Sequence, residues 1–257
     1  MIFPPIDLTP ADSRINNPLN RPFWLPVSGA RTAALLIHGF TGSPWEMREP
    51  TRILNERGIS CLAVRLPGHG TTPADLARCR YENWLATVIA GHKFLAREHT
   101  RVVAIGLSTG ALLGLAAHAQ TPFTRLILLS PYLSFRNRLA PFAGLVRFVI
   151  PYQSRPVAAE QAGIYYAKRP VAGIYQLNRL RRHVEPTLHQ ILAPTLVICA
   201  DGDRTINPDS AVRLYQRVGS TEKKLYRFGA DVPHVLTTAD NPQLEKTLQL
   251  IADFIPR

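Results

Sequence analysis

Cysteine is scarce in this chain. Cys61, Cys79 and Cys199 are its three in 257 residues, and none stands in a CxxC or Cys/His spacing. That odd, scattered set excludes a disulfide framework or a structural zinc site as the organising principle, and reduced thiols are expected. Acids are also few, with 18 Asp and Glu against 30 Lys and Arg, a formal net charge of +12. No apolar run approaches the roughly 20 residues that cross a bilayer. The opening M-I-F-P-P-I-D-L-T-P-A-D has neither a basic start nor an unbroken apolar stretch. A secretory leader is therefore not expected, and the cytoplasm is the expected location.

Hydrophobic residues make up 46% of the chain, enough for a sizeable core at this length, so disorder is excluded. Residues 1–31 are rich in proline and read as an irregular arm, with Phe23 to Leu25 docking it or starting an edge strand. Strand-like runs follow at Thr32 to His38, Ile59 to Arg65, Arg101 to Gly106, Thr124 to Leu129, Ala193 to Ala200 and Lys223 to Phe228. Helical patterns alternate with them at Pro44 to Arg57, Tyr81 to His99, Thr109 to His118, Pro208 to Val218 and Pro242 to Phe254. Asn207 is the expected N-cap of the fourth. This alternation predicts an α/β fold, a mostly parallel sheet with helices on both faces. It stops over 132–190, which is aromatic, basic and without a strand pattern, and which is expected to form an inserted helical cap. Residues 32–131 and 191–257 then make the core.

The stretch R-V-V-A-I-G-L-S-T-G-A, from Arg101 to Ala111, organises the rest. A buried-strand run ends at Gly106, and a small-residue helix begins after Ser108. A serine at so sharp a strand-to-helix turn has its hydroxyl projected above the sheet, and the close passage of the chain requires Gly106 and Gly110 to lack side chains. Nucleophilic catalysis by serine also needs a base and a carboxylate that orients it. His234, after the last strand, is the expected base. Asp203 is the preferred acid, with Gly202 supplying the turn toward the histidine; Asp201 is the alternative, otherwise capping a turn, and Asp231 is expected to face solvent. Two donors for an oxyanion are expected from the backbone N–H groups of Phe40, in H-G-F-T-G, and Thr109. His38 and His69 are expected to brace their loops.

Between Tyr132 and Gln190 nine basic residues stand against Glu160 and Glu185, so more than half of the net charge lies there. These arginines read first as a solvated face. The alternative is peripheral contact with an anionic surface or a negatively charged substrate; a nucleic-acid partner is not expected, because the charges are not set on a reading motif. The aromatics Tyr132, Phe135, Phe142, Phe148, Tyr152, Tyr165, Tyr166 and Tyr175 are expected to divide between a pocket lining and a small cap core.

Together, H-G-F-T-G (38–42), L-P-G-H-G (66–70), G-L-S-T-G (106–110), D-R-T-I-N-P-D-S-A (203–211) and P-H-V-L (233–236) resemble the α/β-hydrolase superfamily. Within it, they are most similar to bacterial carboxylesterases and monoacylglycerol lipases with a small helical cap. The resemblance spans Thr32 to Ile255. It implies the α/β-hydrolase fold, Ser108 as nucleophile, Asp203 as acid, His234 as base, Phe40 and Thr109 as oxyanion donors, and hydrolysis of short- to medium-chain esters without cofactor or metal. Acyl transfer, thioester hydrolysis and ligand sensing with little turnover are the alternatives the same layout allows. The chain departs from the pattern at Pro233, where relatives commonly carry glycine, and at Ala111, where they often carry a second one.

Overall fold

The computed structural model describes residues 15, 17–137 and 140–256. Most of the expected N-terminal arm, and Arg138, lie outside them. In chain order the strands are β1 (Phe23–Leu25), β2 (Thr32–Ile37), β3 (Ser60–Val64), β4 (Arg101–Leu107), β5 (Arg125–Leu129), β6 (Tyr152–Ser154), β7 (Lys168–Pro170), β8 (Thr195–Ala200) and β9 (Lys223–Phe228). The helices are α1 (Arg48–Glu56), α2 (Pro73–Arg78), α3 (Tyr81–Leu95), α4 (Thr109–His118), α5 (Ala143–Val146), α6 (Val171–Val184), α7 (Pro208–Arg217) and α8 (Leu244–Asp253).

Seven strands form one sheet in the order β1-β3-β2-β4-β5-β8-β9, with β1 antiparallel at the edge and every other pair parallel. Successive side chains on a strand point to opposite faces, so the continuous apolar runs supply two cores. Leu35, Ile37, Val64, Ala104 and Leu128 pack with Trp84 and Val88 of α3 and Leu112 of α4 on one face. Leu36, Ala63, Ile105 and Leu129 pack with Leu54 of α1 and Ile251 of α8 on the other.

The chain crosses from β2 to β3, then returns over β2 to reach β4 on its far side. Such a reversal leaves a crevice at the carboxyl ends of the adjacent strands β2 and β4. Ile37 of β2 pairs with Gly106 of β4, so the loops that follow the two strands start side by side.

Gly110 makes the β4 to α4 turn possible. A Cβ there would lie 2.1 Å from the Ile37 carbonyl oxygen, and one on Gly106 would lie 2.3 Å from the Gly110 carbonyl. Both obstacles are backbone and cannot swing aside. Gly110→Ala is therefore expected to lower stability by roughly 3 kcal/mol or more, read from denaturant unfolding midpoints; an unshifted midpoint would contradict this account of the turn.

Two local features differ from expectation. Between β5 and β8 the chain is not purely helical, since β6 and β7 form a small antiparallel hairpin with Gln153 opposite Arg169. Strands of three residues are too short to display an alternation, and these carry Lys, Arg and Pro, which are depleted in strands. The short helix α2 was unanticipated. Its signal was available: Pro73 at the first position, and Thr72 Oγ1 accepting the Asp75 N–H at 3.1 Å. Asn207 caps α7 as expected, accepting the Asp209 N–H at 3.0 Å.

Candidate active site

Ser108 sits between β4 and α4 with φ 54° and ψ −107°. This is a positive φ on a residue with a Cβ, held because the Ser108 N–H donates to the Leu129 carbonyl at 2.7 Å and its carbonyl accepts from Ala111 at 3.1 Å. α4 is buried along nearly its whole length, so its N-terminus is aimed rigidly at the crevice. Among the described residues neither the Thr109 nor the Phe40 N–H has an acceptor within the chain. The two belong to the adjacent loops after β4 and β2, the arrangement that can place two donors on one developing oxyanion.

Asp203 follows β8 and is 1% exposed. Its Oδ1 accepts the N–H groups of Thr205 and Ile206 at 2.7 and 2.9 Å, which fixes the carboxylate plane. Oδ2 meets Nδ1 of His234. Gly202 supplies the turn as expected, the Asp203 N–H donating to the Ala200 carbonyl at 3.3 Å, and it also permits a close approach, since a Cβ there would lie 2.4 Å from the carbonyls of Ala230 and Val232 in the histidine loop. Pro233 does not take the imidazole away from the acid, because Val232 and Leu236 on either side are buried in the core. With Nδ1 directed at Asp203, Nε2 is the nitrogen left for a substrate or nucleophile.

Ser108 and His234 line one open cavity of about 250 Å³, together with Gly39 and Phe40. The Ser108 hydroxyl forms no hydrogen bond among the described residues; it and the imidazole share the cavity without a direct contact of that kind.

The other aspartates separate clearly. Asp201 does not cap a turn: it forms an ion pair with Arg227, whose Nη2 lies 2.6 Å from Oδ1. Its side chain is thereby committed away from the imidazole. Asp231 is exposed.

Four further residues shape the site, and sequence reasoning did not single them out. Ser130, just after β5 with φ 45°, donates its hydroxyl to the His234 carbonyl at 2.8 Å and so ties the histidine loop to the sheet. Glu46 is buried in the cavity wall, where an oxygen accepts the Gly39 N–H at 2.8 Å and holds the loop carrying Phe40. Burial pushes its carboxyl up from the ordinary range, against the lowering effect of that hydrogen bond. Arg155 and Arg169 also line the cavity instead of forming a solvated face. No signal in a lone Ser, Glu or Arg reveals such placements.

His38 braces the loop as expected. Its Nε2 accepts the Leu66 N–H at 3.1 Å, so Nδ1 carries the proton and donates to the Gly39 carbonyl at 2.9 Å. His69 packs its ring 5.0 Å from that of His38, completing a tie between the H-G-F-T-G and L-P-G-H-G loops. Burial lowers the His38 pKa from 6.5 to about 4 and moves that of His69 in the same direction. Between these pH values the unfolded chain binds the proton that the folded chain refuses. The His38 contribution is thus fully present above pH 6.5 and is lost as pH falls toward 4, by about 3 kcal/mol at most. Unfolding midpoints measured from pH 7 to pH 4.5 are expected to fall, and to fall less steeply in His38→Gln; an equal slope would contradict the assignment.

The cap aromatics divide less neatly than expected. Tyr132 is buried and Phe135 and Tyr165 line the cavity, yet Phe142 and Phe148 are exposed, at 58% and 77%. No described helix is long and apolar enough to cross a membrane.

A parallel sheet with a strained serine after its central strand, and an acid and a histidine after its last two, defines a hydrolase of the α/β class. Residues 34–246 match the model of the alpha/beta hydrolase family, and the chain belongs to that family. It is similar to a carboxylesterase of Bacillus subtilis (strain 168), with 29% identity over 81% of this chain and 87% of that one. It is also similar to a thermostable monoacylglycerol lipase of Bacillus sp. (strain H-257), with 28% identity over 85% of this chain and 89% of that one. A solved structure from work on the metagenome-derived lipolytic enzymes LipS and LipT superposes with a TM-score of 0.81 and 26% identity, over 92% of this chain and 98% of the other. The monoacylglycerol lipase of Paleococcus ferrophilus shares the fold at a TM-score of 0.76 and 16% identity, covering 91% of this chain and 96% of its own.

Proposed function

We propose that this chain is a carboxylic ester hydrolase that works through an acyl-enzyme on Ser108. The observation that carries the reading is the Asp203–His234 contact beside a cavity lined by Ser108, with the free N–H groups of Phe40 and Thr109 on the adjacent loops. The likeness to a carboxylesterase and a monoacylglycerol lipase supports the same class.

Nε2 of His234 takes the Ser108 proton as Oγ attacks the ester carbonyl, and Asp203 stabilises the imidazolium. The N–H groups of Phe40 and Thr109 hold the oxyanion of the tetrahedral intermediate. Collapse breaks the bond to the alcohol oxygen, which leaves with the proton from His234. Water, deprotonated by the same nitrogen, then releases the acid and restores Ser108. The segment 132–190 serves as the cap over this cavity, contributing Phe135, Tyr165 and Leu177 to its wall.

A series of p-nitrophenyl esters and monoacylglycerols from acetyl to decanoyl, run beside matching acyl thioesters, tests the proposal. Preferential turnover of the oxygen esters, with free acid as product even when alcohol is added, is expected. Faster thioester cleavage, or ester product formed from the added alcohol, would move the function to thioesterase or acyltransferase. Tight binding without turnover would move it to a sensor.

A further inference from the structure

The hairpin β6–β7 puts an excess of positive charge into the cavity. Gln153 lies opposite Arg169, and Arg155, two residues beyond Gln153, projects to the same face; all three line the cavity. The pairing continues past the strand, with the Arg155 N–H donating to the Ala167 carbonyl at 2.8 Å. Arg155 lies over the Tyr165 ring, 4.9 Å from its centroid, and its Nη1 reaches Thr41 Oγ1 at 3.4 Å, one residue from Phe40. The guanidinium is thus fixed beside the loop expected to bind the oxyanion.

Arg169 is more confined. Its Nε is buried without a partner, and burial together with the charge of Arg155 lowers its pKa from 12.5 to about 10. Arg204 lines the cavity as well, and the one carboxylate among the described lining residues is Glu46. Glu46 is engaged by the Gly39 N–H and the Tyr165 hydroxyl; it feels the charge of Arg155 but, among the described residues, forms no ion pair with either hairpin arginine. Two guanidiniums held together in a partly buried wall, with a single nearby carboxylate that pairs with neither, repel each other. An anion that accepts from both relieves that repulsion and satisfies the stranded donor.

We infer that the ester cleaved here carries an anionic group, a carboxylate or a phosphate, received by Arg155 and Arg169. This rests on the ester hydrolase reading of the same cavity. The anion belongs either to the acyl part, as in a dicarboxylic acid half-ester, or to the alcohol part, as in an acylated glycerol phosphate.

Two matched pairs of substrates separate these sources: mono-p-nitrophenyl glutarate against p-nitrophenyl pentanoate, and 1-butyryl-glycerol 3-phosphate against 1-butyryl-glycerol. In at least one pair kcat/KM is expected to favour the anionic member by about tenfold or more, the preference shrinking as salt rises from 0.05 to 0.5 M. In Arg155→Gln/Arg169→Gln the ratio of anionic to neutral kcat/KM is expected to fall at least tenfold. Turnover with equal or better use of the neutral member in both pairs would overturn the inference and leave the hydrolase reading standing.

Absence of turnover on every ester would instead remove the hydrolase reading. In that event, calorimetric titration of Ser108→Ala with monomethyl glutarate and glycerol 3-phosphate reads the anion site without chemistry. Binding of either that weakens at least tenfold when both arginines are also replaced supports the site; binding of neither overturns it.

Discussion

Ser108→Ala is expected to abolish ester hydrolysis, lowering kcat on the order of 10⁶-fold, to the residual rate that binding and oxyanion donors alone provide. The fold should survive. The Ser108 hydroxyl holds no hydrogen bond among the described residues, so its removal strands no buried partner. Alanine suffers the same positive φ as serine, and the backbone bonds to Leu129 and Ala111 are untouched. An unfolding midpoint within about 0.5 kcal/mol of the parent, beside lost turnover, is the expected pair of results. Retained ester hydrolysis in the folded variant would remove Ser108 from the mechanism.

Asp203→Asn carries the second large expected effect, about 10⁴-fold in kcat. The reason lies in the two peptide N–H groups, of Thr205 and Ile206, that point at Oδ1. An asparagine must offer them its carbonyl oxygen, which turns its NH2 toward Nδ1 of His234. That nitrogen must then accept rather than donate, so the imidazole proton moves to Nε2, where it faces Ser108 and disables the base. A loss below tenfold would mean that the imidazole finds its orientation elsewhere, the Ser130 tie to its backbone being the remaining constraint. Asp201→Asn removes only an exposed ion pair with Arg227 and is expected to change kcat by less than twofold.

Much of the scaffold was legible because its signals are local and periodic. Runs such as Ala33 to Ile37 are apolar on both faces and hence buried strands, and the punctuation at Ser108 and Asn207 marked where helices begin. The relation of Gly106 to Gly110 was readable from steric reasoning alone, and the clash distances bear it out. The meeting of Asp203 with His234 followed from both lying after neighbouring strands at the carboxyl edge.

What escaped was set by tertiary packing. The hairpin β6–β7 is held by pairing between residues about fifteen apart and by no propensity of its own. Arg155 and Arg169 belong to a basic stretch whose other members, such as Arg179 and Arg181, do form surface ion pairs with Glu82 and Glu185. Composition could not separate the two kinds. Glu46 sits in a 3-10 turn that presents it inward, and an acidic residue in a first helical turn ordinarily reads as solvated. Gly202 serves the turn read from the sequence, whereas its second role, the close approach of two loops, is set by packing.

Covalent trapping tests the central claim most directly. The purified chain is treated with a fluorophosphonate, digested, and mapped by mass spectrometry. The account predicts one adduct per chain, on the peptide containing Ser108, with its rate of formation falling sharply in Asp203→Asn and in His234→Ala. An unmodified Ser108, or an adduct on another residue while ester hydrolysis proceeds, would contradict it.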